Sequence, residues 1–143
     1  WSNNVKLWDF SLSATFRASI GGKAFNQMRA VYESVNEFGL KNVLASWLDE
    51  PEFTGRVVYC SKYLEDASFL KLDNLTLAYN VPLKNRKVVK SLSFSLTGQN
   101  LFTLTAYKGV DPEVSRSGLT PGIEGLSYYP RTRVFTFGAS IKF

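Results

Sequence analysis

Histidine is absent from this 143-residue chain, and cysteine occurs once, as Cys60. An internal disulfide, a catalytic pair of cysteine and histidine, and the usual cysteine and histidine ligands of zinc are therefore excluded. Long apolar runs are also lacking, since nothing approaches eighteen consecutive apolar residues, and this excludes a membrane-spanning helix. A membrane-spanning barrel remains open, because barrel strands alternate apolar and polar residues and so dilute their hydrophobicity.

A strong charge imbalance is absent too. The 17 Lys and Arg residues exceed the 12 Asp and Glu residues by five. The basic residues are scattered or lie in turns, without the basic stripe and stacked aromatic residues of a nucleic-acid surface. We therefore predict no nucleic acid among the partners of this chain.

Candidates for catalysis and metal binding are weak. Glu65 and Asp66 are adjacent acidic residues, which in exposed loops are usually solvated, and nothing beside them suggests a shifted pKa. Asp111 and Glu113 offer too few oxygen ligands at close spacing for calcium, so a structural turn is the expected role of that segment. The sequence therefore predicts no enzyme, no catalytic residue, no metal and no cofactor.

Aromatic residues are abundant, at 15% of the chain. Several of them lie in a predicted strand at the end of the sequence. Residues 131–143 read RTRVFTFGASIKF and alternate with a period of two. The apolar face of this segment carries Phe135, Phe137, Ile141 and Phe143, whereas its other face is small and mostly polar. This pattern predicts a strand with lipid on one side and a watery or plugged lumen on the other, which only a closed barrel allows.

Three earlier segments, 5–20, 68–80 and 91–105, also predict strands. The side chains expected to face the membrane in these segments are Trp8, Phe10, Leu12, Phe16, Leu77, Tyr79, Leu92, Phe94, Leu96 and Phe102. Candidates for the lumen face are Ser13, Thr15, Thr97 and Gln99. Leu70 and Leu72 are out of phase with Leu75, Leu77 and Tyr79, so we expect a bulge or a change of environment near Asp73 and Asn74. Aromatic girdles are expected at both membrane boundaries, with Phe102 and Tyr107 in the upper one.

The connections between these strands differ greatly in length. Residues 21–67 and 106–130 form long loops, and residues 81–90 form a short turn. The spacing of apolar residues in the first loop predicts a helix of about three turns that ends at Gly39, and then a short helical turn within 40–48. If the last strand runs toward the periplasm, both long loops are extracellular and 81–90 is a periplasmic turn, which is the asymmetry expected of outer-membrane barrels.

Several motifs occur together in order. SFL-L-NLTL-Y lies within 61–82, GQNLFT and YKG-DPE lie within 91–114, and YPR precedes the final strand within 128–143. With the upstream segment 10–26, these motifs resemble the carboxy-terminal end of the SusC/RagA class of TonB-dependent outer-membrane transporters from Bacteroidetes. The resemblance covers most of the chain and is weakest over residues 27–59.

The resemblance implies an all-β fold in which about four antiparallel strands form the carboxy-terminal part of a 22-stranded transmembrane barrel, with some helix in the first long loop. Such transporters import glycans or peptides across the outer membrane with energy from TonB. The implied partners are the remainder of the barrel and its plug, a SusD-like surface lipoprotein, the TonB complex and outer-membrane lipid. We expect the chain to be the last fragment of such a transporter, since it holds no plug and no TonB-contact segment.

The resemblance also implies roles for particular residues. The terminal strand, with Phe143 last, resembles the signal that the outer-membrane assembly machinery reads, and its pairing is expected to close the barrel. The loop motif consists of Tyr107, Gly109, Asp111, Pro112 and Glu113, of which Asp111 is expected to shape the extracellular loop. The alternative is a small soluble antiparallel β-domain that binds carbohydrate or protein, and dependence on detergent separates the two hypotheses.

Overall fold

The computed structural model describes residues 1–33, 39–48, 59–83 and 88–143. The strands and the helix are β1 (Ser2–Leu7), β2 (Phe10–Ser19), β3 (Lys23–Phe25), α1 (Gln27–Tyr32), β4 (Leu64–Asp66), β5 (Phe69–Asn80), β6 (Ser91–Thr105), β7 (Ser115–Ser117), β8 (Thr120–Pro121) and β9 (Val134–Lys142). Short 3₁₀ turns cover Ala45–Leu48 and Ser61–Tyr63. Parts of the first long loop (34–38 and 49–58) and of the predicted turn 81–90 (84–87) lie outside the described residues.

The chain divides into two compact units. The sheet unit consists of Trp1–Ala18, Leu70–Leu104 and Arg131–Phe143, and the loop unit consists of Ser19–Phe69 and Thr105–Pro130. The sheet unit is one five-stranded sheet with the order β1-β2-β5-β6-β9. The prediction of an antiparallel all-β fold with some helix in the first long loop is therefore confirmed. The sheet has five strands where about four are predicted, and the segments predicted as long loops form a folded unit of their own.

The predicted first strand over 5–20 is wrong, because the structure has a hairpin there. β1 pairs with β2 in antiparallel register from Ser2↔Thr15 to Leu7↔Phe10, and Trp8 and Asp9 form the turn. Trp8 adopts a left-handed backbone with φ of 52°, which non-glycine residues rarely do. Trp8 therefore lies at a turn, with 84% of its surface exposed, and not within a strand.

β5 contains the irregularity expected near Asp73. Arg17, on the polar face of β2, donates two hydrogen bonds to Asp73, and Thr76 shares a hydrogen bond of 3.0 Å with Thr97 on the polar face of β6. Asp73 and Thr76 are three residues apart, and a regular strand places such residues on opposite faces. The geometry therefore indicates a bulge between them, which brings Leu72 into phase with the apolar residues that follow.

β6 and β9 pair without interruption from Ser91↔Lys142 to Gln99↔Val134. Asn100 then has a φ of 53°, and its amide donates to the carbonyl oxygens of Arg131 and Thr132. The side chain of Leu101 lies 2.8 Å from the position of a Cβ on Gly98, so Leu101 covers the apolar face at this point. The alternation thus shifts by one residue at Asn100. This shift indicates that Phe102 is out of phase with Leu96, contrary to the prediction that both side chains face the membrane.

The loop unit is held by short elements around a small core. β3 pairs with β4, and β7 pairs with β8. The helix α1 is shorter than predicted, since it begins after Asn26, whose side chain caps the amide of Arg29, and ends at Tyr32. The core consists of Ala24, Ala67, Tyr107 and Val114, with Tyr128 packed against it. No helix in the described part of the chain is long and apolar enough to span a membrane.

Candidate functional site

One face of β6 and β9 is a continuous apolar surface. The register places Leu92 opposite Ile141, Phe94 opposite Ala139, and Leu96 opposite Phe137. The rings of Phe94 and Phe137 stack diagonally across the strands with centroids 6.1 Å apart. Phe135 and Phe137 remain 68% and 70% exposed. Such a patch of large apolar side chains marks a surface that another apolar phase covers.

The apolar surface continues across β1, β2 and β5. Val5 pairs with Leu12, and Leu7 pairs with Phe10, so these four side chains share a face. The ring of Phe10 lies 4.7 Å from that of Tyr79 on β5. Of the other predicted membrane-facing residues, Phe16 contacts the ring of Trp1, and Leu77 is exposed. The aromatic residues thus form cross-strand pairs along one side of the sheet.

The opposite face of the sheet is polar. Ser13 and Thr15 lie on β2 opposite Asn4 and Ser2, and the hydroxyl groups of Ser2 and Thr15 share a hydrogen bond of 3.2 Å. On β6 and β9, Thr97 pairs with Thr136 and Gln99 pairs with Val134. Apart from Val134, these side chains carry hydroxyl and amide groups, which suit contact with water or with another polar protein surface.

Both edges of this sheet are open in the described chain. β1 and β9 stand at the two ends of the strand order, so each has a single neighbour. An edge strand presents unpaired N–H and C=O groups, which is costly in hydrocarbon and promotes association in water. The sheet therefore requires further strands at both edges if its apolar face contacts lipid.

In the loop unit, Glu124 ties the second long loop to the first. Its side chain is fully buried and accepts hydrogen bonds from the Tyr107 hydroxyl at 2.7 Å and from the Val110 amide at 3.0 Å. Its backbone amide donates to the carbonyl oxygen of Phe25, and the amide of Phe25 donates to Gly122. A short parallel bridge between Phe25 and Ile123 completes the contact. The buried carboxylate thus holds the second loop together, and the backbone bonds with Phe25 fix the two loops against each other.

Glu65 makes a second connection between the same loops. One of its oxygens accepts from Arg29 at 2.5 Å and from the Asn26 amide at 3.4 Å, and the other accepts from the Lys108 backbone amide at 2.8 Å. Arg29 also contacts Glu33 at 2.7 Å. The side chains of Arg29 and Glu65 are 15% and 11% exposed. The expectation that Glu65 is a solvated surface acid is therefore wrong.

These contacts shift the ionisation of several groups in the loop unit. Burial raises the pKa of Glu33, but the hydrogen bonds from Arg29 and Ser46 outweigh this effect and hold the pKa below its ordinary value. Burial, together with the hydrogen bond to Glu124, raises the pKa of the Tyr107 phenol well above its usual range. Asp66 is exposed, and hydrogen bonds from Ser68 lower its pKa. All three shifts keep the charge pattern of the loop unit fixed near neutral pH.

The predicted loop motif lies inside this network. Tyr107 is 5% exposed and packs in the core, so its predicted place in an aromatic girdle is wrong. A side chain at Gly109 would collide with the ring of Tyr107 and with Glu124. Asp111 is buried and accepts a hydrogen bond from the Glu113 amide at 2.9 Å, while Pro112 is buried beside it. This geometry suits a structural turn, the role that the sequence predicts for Asp111.

Sequence reasoning did not nominate Glu124, Arg29 or Asn26. Buried carboxylates in a loop have no periodic pattern and look like surface residues in a sequence. The described residues contain no group of three or more potential metal ligands. What the structure brings together is therefore an apolar sheet face, a polar sheet face and a pair of locked loops.

No family model matches the chain, but individual proteins do. The TonB-dependent receptor P3 of Formosa agariphila is 29% identical over 159 residues, which cover 100% of this chain and 16% of that receptor. The TonB-dependent receptor SusC of Bacteroides thetaiotaomicron is 33% identical over 151 residues, which cover 99% of this chain and 14% of that receptor. The chain thus spans less than one fifth of the length of these relatives.

Solved structures give the same result. The RagAB peptide transporter superposes with a TM-score of 0.85 at 27% identity, over 99% of this chain and 17% of the matched chain. The 'open-open' state of the RagAB peptide importer gives a TM-score of 0.76 at 26% identity, over 99% of this chain and 16% of the matched chain. Fold and sequence agree that this chain belongs to the SusC/RagA class of TonB-dependent receptors.

Proposed function

We propose that this chain is the carboxy-terminal part of a TonB-dependent importer of glycans or peptides in the outer membrane. Its role is to close the barrel wall and to supply two extracellular loops. The observation that carries the proposal is the exposed apolar face shared by β6 and β9, backed by a polar face with hydroxyl side chains. A strand of about 9–11 tilted residues crosses the hydrocarbon core, and β9 has nine residues.

The two open edges support the same role. Backbone groups cannot remain unpaired in hydrocarbon, so β1 and β9 pair with strands of the remainder of the barrel. In this proposal β9 is the last strand of the barrel and closes it by pairing with the first strand. Its expected terminal residues are Phe135, Phe137, Ile141 and Phe143. The polar face, with Ser13, Thr15, Thr97 and Gln99, contacts water or the plug.

In this proposal, the turns and the loop unit lie on opposite sides of the outer membrane. The tight turn at Trp8 and Asp9 and the connection 81–90 are periplasmic. The loop unit is extracellular and is the part of the chain that contacts a SusD-like surface lipoprotein or the imported ligand. The TonB complex acts through other parts of the receptor. Import of this kind moves its substrate without covalent change, so the chain is not an enzyme and needs no cofactor.

The alternative of a small soluble β-domain is not favoured by the geometry. A soluble sheet buries its apolar face against another layer, whereas Phe135 and Phe137 are largely exposed on the sheet. The two edges would also expose unpaired backbone to water.

A pair of adjacent substitutions tests the proposal in the full-length receptor that contains this chain. Phe137→Lys places a charge on the apolar face near the middle of β9, where it is expected to cost about 2–4 kcal/mol in a bilayer. Thr136→Lys places the same charge on the polar face and is expected to change stability by less than about 1 kcal/mol. Reversible urea unfolding in phospholipid vesicles measures both. Equal effects of the two substitutions, or a receptor that stays monomeric without detergent, would contradict the proposal.

A further inference from the structure

The apolar face of the sheet carries no charged residue within its five described strands. The charged residues of these strands are Lys6, Arg17, Lys71, Asp73 and Lys142. The strand registers place Lys6 and Lys142 on the polar face, where Arg17 and Asp73 also bond to each other. Lys71 is two residues from Asp73, so alternation assigns it to the same face. The apolar face is therefore uncharged from one end of the strands to the other, as contact with hydrocarbon requires.

The first charge that borders this face belongs to Arg133. This residue stands immediately before β9 and two positions before Phe135, so the alternation of the strand indicates the same side for both side chains. The amide group of Asn100 on β6 donates to the carbonyl oxygens of Arg131 and Thr132. The backbone that carries Arg133 is thus held at the end of the apolar face.

Arg133 has no partner in the part of the chain that the structure describes. Its side chain is exposed and forms no hydrogen bond or ion pair with the described residues. The sheet unit contains ten Lys and Arg residues but only two acids, Asp9 and Asp73. Asp9 lies in the turn between β1 and β2, and Asp73 is already bonded to Arg17. An anionic group from outside the described chain would therefore complement Arg133.

The length of β9 relates Arg133 to a boundary of the membrane. Ten residue steps separate Arg133 from Phe143. At about 3.3 Å per residue and a tilt of about 40°, these steps rise about 25 Å, which is the height of the apolar band of an outer-membrane barrel. With Phe143 at the periplasmic boundary, Arg133 reaches the extracellular one. Lipid phosphates lie at such a boundary, and a guanidinium group binds phosphate through two parallel hydrogen bonds.

We propose that Arg133 binds the phosphate group of a membrane lipid at the extracellular boundary, with the acyl chains of that lipid against Phe135 and Phe137. This assignment rests on the proposed function, because it requires the apolar face to lie in the outer membrane. Phe135 and Phe137 are 68% and 70% exposed and continue the surface from Arg133. A free phosphate ion would use the guanidinium group alone, whereas a lipid uses both the cation and the apolar surface. The combination therefore favours a phosphate-bearing lipid.

Photolabelling of the full-length receptor that contains this chain, in vesicles of phosphatidylcholine, tests the assignment. The probe is phosphatidic acid with a photoreactive group on an acyl chain, and peptide mapping measures the yield of label on residues 131–143. Diacylglycerol with the same photoreactive group is the matched probe without phosphate. Arg133→Gln is expected to lower the yield from phosphatidic acid about fivefold, which is roughly the contribution of one cation at an anionic lipid surface.

Two further variants separate the guanidinium group from net charge. Arg133→Lys keeps the charge but loses the paired hydrogen bonds, so an intermediate yield is expected. Lys142→Gln removes a cation from the polar face of the same strand and is expected to leave the yield unchanged. The heat-modifiable mobility of a folded barrel verifies that each variant is folded, and Arg133→Lys still tests the assignment if Arg133→Gln does not fold.

Each result decides the assignment. The expected loss in Arg133→Gln, with labelling by diacylglycerol unchanged, supports it. Equal yields from phosphatidic acid in wild type and Arg133→Gln overturn it, as does an equal loss in Lys142→Gln. Excess inorganic phosphate at constant ionic strength that displaces the lipid probe overturns the choice of lipid. Labelling of residues 131–143 by both lipids irrespective of Arg133 leaves the proposed function intact, whereas absence of labelling by either lipid overturns the proposed function as well.

Discussion

The hydroxyl group of Tyr107 donates a 2.7 Å hydrogen bond to a carboxylate oxygen of Glu124 inside the loop unit. Both residues are buried, so water cannot replace either partner. The backbone amide of Val110 also donates to the Glu124 side chain. The loop motif thus acts through an aromatic residue that supplies both apolar packing and a hydrogen bond.

Removal of that hydroxyl group is expected to loosen the loops. Tyr107→Phe keeps the ring but leaves a buried carboxylate oxygen without its donor, which costs about 1–3 kcal/mol. Hydrogen exchange of the loop amides in the full receptor measures the loss as faster exchange across residues 105–130. Tyr129→Phe is the control, since Tyr129 is exposed, and is expected to stay within about 0.5 kcal/mol of wild type. Equal exchange in the two variants would contradict a structural role for the Tyr107 hydroxyl.

The ion pair of Arg29 with Glu65 and that of Arg17 with Asp73 are expected to differ in strength. Glu65→Ala leaves Arg29 partly uncompensated in a site where both side chains are mostly buried, and it is expected to destabilise the loop unit by about 3 kcal/mol. Asp73→Ala breaks the more exposed pair with Arg17 and is expected to cost less than about 1 kcal/mol. Reversible urea unfolding of the full receptor in phospholipid vesicles compares the free energy of unfolding of both variants. An equal loss in Glu65→Ala and Asp73→Ala would show that burial does not set the strength of these pairs.

Acid is expected to destabilise the loop unit through Glu33. The pKa of Glu33 in the folded loops lies below its ordinary value of 4.5, so the stabilisation is complete above that value. As the pH falls below about 4.5, the unfolded state binds a proton that the folded state does not, and stability decreases until the pH reaches the folded pKa. The rate of loop proteolysis between pH 6 and pH 3 by an acid-active protease measures the effect. Glu33→Gln removes the titrating group and is expected to flatten this profile, and an equally steep profile in that variant would contradict the assignment.

Glycine is expected to be required at Gly109 but not at Gly118. A methyl group at Gly109 would collide with Tyr107 and Glu124, so Gly109→Ala is expected to cost about 1–3 kcal/mol through overpacking. Nothing lies within 4 Å of the corresponding position at Gly118. Gly118→Ala is therefore expected to be neutral or to stabilise by up to about 1 kcal/mol. Thermal unfolding of the receptor in detergent compares the two variants, with protection of the loops from proteolysis as the readout. A Gly109→Ala variant as stable as wild type would contradict the close packing around Gly109.

The strands were predictable where a single rule governs them. Alternation in 131–143 and in the first part of 91–105 follows from one face being apolar, and the structure pairs these segments residue by residue. The prediction failed at Trp8, where Val5 and Leu7 are out of phase with Phe10 and Leu12. That shift was a local signal of the turn, although the turn lacks the usual asparagine and glycine. The prediction failed again beyond Asn100, where one left-handed residue shifts the faces.

The loop unit was beyond sequence reasoning for a different reason. Its contacts join residues far apart in the chain, such as Glu65 with Lys108 and Phe25 with Glu124, and no local pattern encodes them. A glutamate that accepts a buried backbone amide has the same local sequence as a solvated one. The phase shift of Leu70 and Leu72, by contrast, gave a local signal, and the bulge near Asp73 followed from it.

The contacts between the two loops limit how such a receptor can be re-engineered. Glu65 comes from the first loop and holds the amide of Lys108 in the second, and Glu124 comes from the second loop and bonds through its amide to Phe25 in the first. A graft that replaces the first loop and removes Glu65 would leave the amide of Lys108 without its acceptor. A graft of either loop must also keep the backbone path that pairs Phe25 with Gly122 and Glu124. Chimaeras of this region are therefore expected to succeed only when residues 19–69 and 105–130 are transplanted as a pair.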